Sequence, residues 1–242
     1  MLSGMAATSW WVWKFEKVSR IEFSVLKKKK PSPDREKYEV LVGELKRWRV
    51  DLGRDYREAR TKAEKQAVGN DARLILELVM PEMMRCWLGT PYDFNGTAEK
   101  PGEGKIACGY FVSTVIRDAG FKVNRYKLAQ QPSANILHTF IPREDCFLEV
   151  GTEYPIYADN VEEMDDGIYL VGLDTHVGFI VNRSDGMKFI HSSGSRPWAV
   201  VEESRKNAGA LQRSNWRMIG CLTGEPGVIR TWLAGDKVKV KN

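Results

Sequence analysis

Cys108 follows a loop rich in glycine, proline, asparagine and threonine, Gly89 to Lys105, and opens a segment whose apolar residues recur at helical spacing. Phe111, Val112, Val115, Ile116 and Ala119 share one face with Cys108, and Gly120 stands where such a helix would end. A thiol at a helix N-terminus meets the positive end of the macrodipole and amide groups without partners. Both favour the thiolate, and the same amides can hold an oxyanion. Taken alone, Cys108 equally suits a small core position on the buried face. The histidines add to it. Of the three in the chain, His138, His176 and His191, the last two fall in β-type runs on either side of a turn within Asn182 to Gly186. An even-membered turn puts both imidazoles on one face at diagonal cross-strand distance, whereas an odd-membered turn without a bulge separates them. One imidazole then orients the other, which is the nucleophile, base and orienter logic of a cysteine triad.

The elements that must position these residues fall into two groups. From Asp34 to about Trp87 the pattern is helical. Asp34 is the expected N-cap after Pro33; Leu41, Leu45 and Trp48 lie at helical spacing; and Asp71 is expected to open a second apolar run through Leu74, Leu78 and Val79. The charged stretch from Arg54 to Lys65 reads as a solvated helical arm. From Asp166 onward the pattern turns to β, with short runs at Gly167 to Gly172, His176 to Asn182, Met187 to Ser193, Trp198 to Val201 and Trp216 to Leu222. Helices followed by a meandering antiparallel sheet predict an α+β fold.

Four blocks carry a resemblance: Gly89-Thr90-Pro91-Tyr92-Asp93-Phe94-Asn95-Gly96, Ala107-Cys108-Gly109-Tyr110-Phe111-Val112, His176-Val177-Gly178-Phe179-Ile180-Val181 and Phe189-Ile190-His191-Ser192-Ser193. In order and content they resemble the NlpC-type cysteine peptidases of the bacterial cell wall, over Leu88 to about Val201. The resemblance implies a pared-down papain-like core, with Cys108 as nucleophile, His176 as general base and His191 as the orienting residue. Tyr92, beside the nucleophile with its hydroxyl near the oxyanion site, and Gly109 become the oxyanion or substrate-contact residues. Typical members cut amide bonds of peptidoglycan stem peptides by way of an acyl-enzyme, without metal or cofactor. Two departures bear on specificity. Ala107 and Gly109 stand where members often carry Asp and Ser, and Asn95 replaces a glycine of a paired-glycine turn, which asparagine tolerates in left-handed backbone. The division that follows is a leader and linker (1–33), a helical arm (34–88), a papain-like catalytic domain (89–225) and a C-terminal tail (226–242).

Composition sets the outer limits. With 43% hydrophobic and 29% charged residues the chain has the make-up of a folded globular protein. Its formal net charge of +5 is more than supplied by Lys27 to Lys30 and the tail lysines Lys237, Lys239 and Lys241, so the body is near neutral and a nucleic-acid partner is not expected. The Lys27 run leaves open peripheral attachment to a membrane or wall, and Met1 to Phe15 reads as the remnant of an export signal or an anchor, which points to an extracytoplasmic location. Trp10, Trp11 and Trp13 are expected to pack on the body or enter an interface. Cys86, Cys108, Cys146 and Cys221 show no paired spacing, so neither a disulfide framework nor a metal site built on Cys108, His176 and His191 is expected. Gly104-Lys105 is no phosphate loop, because Ile106 stands where a hydroxyl is required. Asp165-Asp166 and Glu202-Glu203 are adjacent pairs whose carboxylates need not converge, which leaves a glycosidase without support. His138 is expected to cap or line a helix. Two other readings remain: a papain-like amidase or acyltransferase on another substrate, and a non-catalytic wall-binding scaffold. Lipid-acting relatives usually place the histidine before the cysteine, and a scaffold needs none of the three residues.

Overall fold

The computed structural model describes residues 31–242; the expectations for Met1 to Phe15, the leader tryptophans and the Lys27 run fall outside the described residues. Asp34 caps α1 (Arg35–Glu58), accepting a hydrogen bond from the Lys37 amide at 2.9 Å. The charged stretch does not continue α1 without a break: Arg54 to Glu58 complete it, and residues 59–61 interrupt the helix. Then α2 (Lys62–Arg85) begins after Thr61, whose hydroxyl and the Glu64 carboxylate satisfy each other's amides in a capping box. Asp71 therefore lies inside a helix and opens nothing. The buried stripe of α2 is Ala72, Ile75, Leu76, Val79, Met80, Met83 and Met84, while Leu74 and Leu78 are more than half exposed. Of the expected apolar run, Val79 faces the core and the two leucines face solvent.

After the loop, α3 (Cys108–Asp118) ends at Gly120, whose φ of +102° is the left-handed turn that glycine takes without strain. The segment from Gly120 to Met164, which no sequence pattern organised, holds β1 (Lys122–Val123), α4 (Arg125–Ala129), α5 (Ser133–Phe140), β2 (Cys146–Val150) and α6 (Tyr154–Glu162). The rest is β3 (Gly167–Leu173), β4 (Val177–Asn182), β5 (Lys188–Ser192), β6 (Val200–Ser204), α7 (Gly209–Arg213), β7 (Trp216–Cys221), α8 (Pro226–Ala234) and β8 (Lys237–Val238).

The fold is α+β. Six antiparallel strands lie in the order β2-β7-β3-β4-β5-β6, and a separate parallel pair joins β1 to β8. Every residue of β3 and β4 is buried, because both faces of the sheet are covered. On one face Tyr169, Val171, Ile180 and Phe189 pack with Tyr157, Ala158 and Val161 of α6 and Leu211 of α7. On the other, α3 contacts β4 and β5 through pairs such as Phe111 with Phe179, ring centroids 6.0 Å apart. The far end of α3 is fixed by α8, where the Trp232 indole N–H donates to the Ala119 carbonyl at 2.7 Å. The α1–α2 hairpin packs on α8 in turn, so residues 32–242 form one unit. Among the described residues no helix is long and apolar enough to cross a membrane.

Candidate active site

The loop before Cys108 is stitched to the sheet rather than left free. Ile106 N–H donates to the Pro91 carbonyl and Ala107 N–H to the Gly96 carbonyl, both at 2.9 Å, and Pro91 bridges to Ala199 beside β6. From β5, the Ser192 hydroxyl donates to the Ile106 carbonyl at 2.7 Å. Arg125, buried despite its charge, donates to the Thr97 and Ala98 carbonyls and to the Thr114 hydroxyl, tying the same loop to α3. Gly96 is required by proximity, since a Cβ there would stand 2.6 Å from the Ile106 nitrogen. Asn95 does not take the left-handed backbone that a paired-glycine turn demands. Its amide is held by the Asp93 carboxylate at 2.9 Å, and Trp198 is the one non-glycine residue of positive φ among those described.

Cys108 is the first residue of α3, and its N-cap Ala107 offers no side-chain hydrogen bond, so the first amides of the helix are not capped from within. The expectation of a ready thiolate is not met. Burial pushes the Cys108 thiol above its ordinary value, and the Val177, Gly109 and Cys108 amides directed at the sulfur only partly offset it. The thiol therefore favours its neutral form. Gly109 explains one departure from the family pattern: any Cβ there would collide with the Ala129 carbonyl of α4, so serine has no room. Thus α4 lies directly against the start of α3.

The histidines are brought together by strand register. Val181 pairs with Lys188, leaving six residues, 182–187, in the connection, and Phe179 pairs with Ile190. This even connection puts His176, Gly178, Phe189 and His191 on one face. The ring nitrogens His176 Nε2 and His191 Nδ1 are 2.6 Å apart, with the rings nearly perpendicular. His176 directly precedes Val177, whose amide is directed at the Cys108 sulfur. Burial first, and His191 second, hold the His176 imidazole down to about 3; burial likewise lowers His191, opposed by Glu203. His176 at neutral pH is therefore an unprotonated imidazole able to accept a proton.

Glu203 is the member that sequence reading missed. Its Oε2 lies 3.0 Å from His191 Nε2, extending the run of contacts from His176 through His191 to a carboxylate. The neighbouring Glu202 points to the opposite side of the strand, where Arg85 holds it with contacts of 2.8 to 3.2 Å. The two carboxylates do not converge. The signal available in the sequence is the alternation of β6 itself, which runs three residues beyond Val201, to Ser204.

Gly178 makes room for this arrangement. A Cβ there would stand 2.6 Å from the Phe189 ring and 2.9 Å from His191 Cβ. Gly178→Ala is therefore expected to destabilise the fold by about 1–3 kcal/mol through overpacking and to displace His191 from His176. Urea unfolding measures the first effect, and the histidine NMR resonances report the second.

Tyr92 stands at the rim. Its amide donates to the Trp198 carbonyl at 2.8 Å, and Gly194 sits close against its hydroxyl end. Burial raises its phenol above the ordinary range, and proximity to Cys108 adds to the shift, so it remains a neutral hydrogen-bond donor. His138 lines α5, as expected of a helix residue, with Nδ1 3.7 Å from Cys146 Sγ. The surroundings of Cys146 differ from those of Cys108. Cys146 begins a strand instead of a helix, and burial, Asp145 and Glu144 push its thiol up to about 11. All four cysteines are free, and no group of three or more His, Cys, Asp or Glu among the described residues is arranged to hold a metal. No protein-family model matches the chain, and neither does any curated protein.

Proposed function

We propose that the chain is a papain-like cysteine hydrolase that cleaves amide bonds by way of an acyl-enzyme at Cys108, with peptidoglycan stem peptides as its substrates. The observation that carries this reading is that the amide of Val177, the residue directly after His176, is directed at the sulfur of the helix-terminal Cys108, while His176 is itself paired with His191. In the reaction His176 takes the thiol proton as sulfur attacks the amide carbon. The carbonyl oxygen becomes an oxyanion facing the amides at the start of α3 and the Tyr92 hydroxyl. The protonated His176 then gives its proton to the departing amine, and water, activated by the same imidazole, releases the acid and restores the thiol. The neutral resting pair suits this sequence of steps, because the proton transfer accompanies attack and does not precede it.

Substrate choice rests on the four-block resemblance and on the absence of room for a serine at Gly109, which removes one polar contact that family members offer to a free substrate amine. An extracytoplasmic site of action belongs to the same proposal. The test is digestion of purified muropeptides followed by liquid chromatography and mass spectrometry. Products split at a stem-peptide amide support the reading. Intact muropeptides, alongside cleavage of another amide or of an ester, move the activity elsewhere in the papain-like group.

A further inference from the structure

We propose that Glu203 is a positioning residue that fixes the tautomers of both histidines and so leaves the Nδ1 lone pair of His176 free to accept the Cys108 proton. The inference deepens the hydrolase reading and rests on it for its catalytic consequence.

The argument follows the hydrogens. A carboxylate can only accept, so Glu203 Oε2, 3.0 Å from His191 Nε2, requires the proton of neutral His191 to be on Nε2. Nδ1 of His191 is then a bare lone pair. It faces His176 Nε2 at 2.6 Å, a contact that requires a proton between the two nitrogens, so His176 also carries its proton on Nε2. The one nitrogen of His176 left over is Nδ1, unprotonated. When Cys108 attacks, the S–H bond breaks and an Nδ1–H bond forms. The resulting imidazolium keeps its Nε2–H donated to His191, whose Nε2–H remains donated to the carboxylate. Nothing else in the run has to move.

Removal of the carboxylate removes the constraint. His191 is 1% exposed, and its other contacts, a stacked Phe189 ring with centroids 4.1 Å apart and the His176 ring, do not distinguish its two tautomers. If His191 moves its proton to Nδ1, His176 must turn its Nε2 into an acceptor and carry its own proton on Nδ1, where it blocks the transfer from sulfur. The geometry that secures Glu203 is cross-strand. Phe189 pairs with Glu203 and His191 with Val201, so His191 and Glu203 are diagonal neighbours on one face of an antiparallel pair.

Long-range proton–nitrogen correlation spectra of the 15N-histidine-labelled protein at pH 7.5 read the tautomers directly, and with three histidines in the chain, His138→Asn assigns the remaining two. The expected wild-type spectrum shows both His176 and His191 as Nε2–H tautomers. A wild type with His191 protonated on Nδ1 overturns the proposal whether or not any variant folds. In Glu203→Ala both rings are expected to lose the single Nε2–H pattern, and kcat on a cleaved muropeptide to fall about 10²-fold with KM unchanged. Unaltered tautomers in a folded Glu203→Ala also overturn it. The spectra stand apart from turnover, so muropeptides left intact by the wild type refute the substrate assignment while the tautomer result is still read.

Discussion

Cys108→Ala should lower amide cleavage by at least about 10³-fold while leaving the thermal transition nearly where it is. The size of the effect follows from the absence of a substitute. Cys86 and Cys221 are held above the ordinary thiol range mainly by burial, and Cys146 by burial and the adjacent carboxylates. None of the three begins a helix. The small effect on stability follows from the fact that alanine keeps the Cβ and the helix backbone while removing one half-buried sulfur. The rate of product release measured for wild type and variant, with calorimetric melting as the control, checks both halves.

The second large effect is on stability toward acid. An unfolded histidine takes up a proton near pH 6.5, whereas His176 in the folded protein resists protonation until about 3. Because the folded value is depressed, the stabilising contribution is complete above pH 6.5 and is lost as the pH falls from 6.5 toward 3. At about 1.4 kcal/mol per pH unit below the unfolded value, the cost for this one group reaches about 2–3 kcal/mol by pH 4.5. His191 shifts in the same direction and adds to it. Urea unfolding at pH 7.5 and pH 4.5 should show wild type losing about 2–3 kcal/mol more than His176→Gln across that interval. Equal losses in the two proteins would mean that His176 is not held neutral by burial. Carboxylates that titrate over the same range are common to both and cancel in the comparison.

These two effects arise at positions where the sequence was legible to different degrees. The sheet was readable because strand alternation, turn residues and β-branched runs coincide in β3, β4, β5 and β7, whereas the histidine register hung on the parity of a single connection, which the sequence left open and the strand pairing makes even. The cap at Asp34 and the stop at Gly120 were readable because each rests on local backbone chemistry. The phase of α2 was not. Leucine is frequent on both sides of that helix, and the Thr61–Glu64 capping box that marks its true start lies within a charged stretch that reads as solvated. The segment from Lys122 to Tyr157 stayed opaque for a different reason. Its helices are five to nine residues long and owe their order to packing on α3 and the sheet, as at Gly109 and Gly172, more than to periodicity of their own.

The state of the Cys108 thiol shows where local rules lose to tertiary structure. The helix terminus favours the thiolate, and the amides of Val177 and Gly109 add to that preference, yet burial outweighs them. Glu203 was hidden because two adjacent glutamates do not reveal in sequence which faces the histidines. Strand pairing decides it, placing Glu202 against Arg85 and Glu203 against His191.

The central claim is that Cys108 forms a covalent acyl intermediate with His176 as its base. Acid-quenched reactions with a cleaved muropeptide, digested and mapped by mass spectrometry, address it most directly. The expected result is a mass increase equal to the acyl half of the substrate on the peptide carrying Cys108, formed by wild type and not by His176→Ala. Cleavage that proceeds with no adduct on Cys108, and at the same rate in Cys108→Ala, would contradict it.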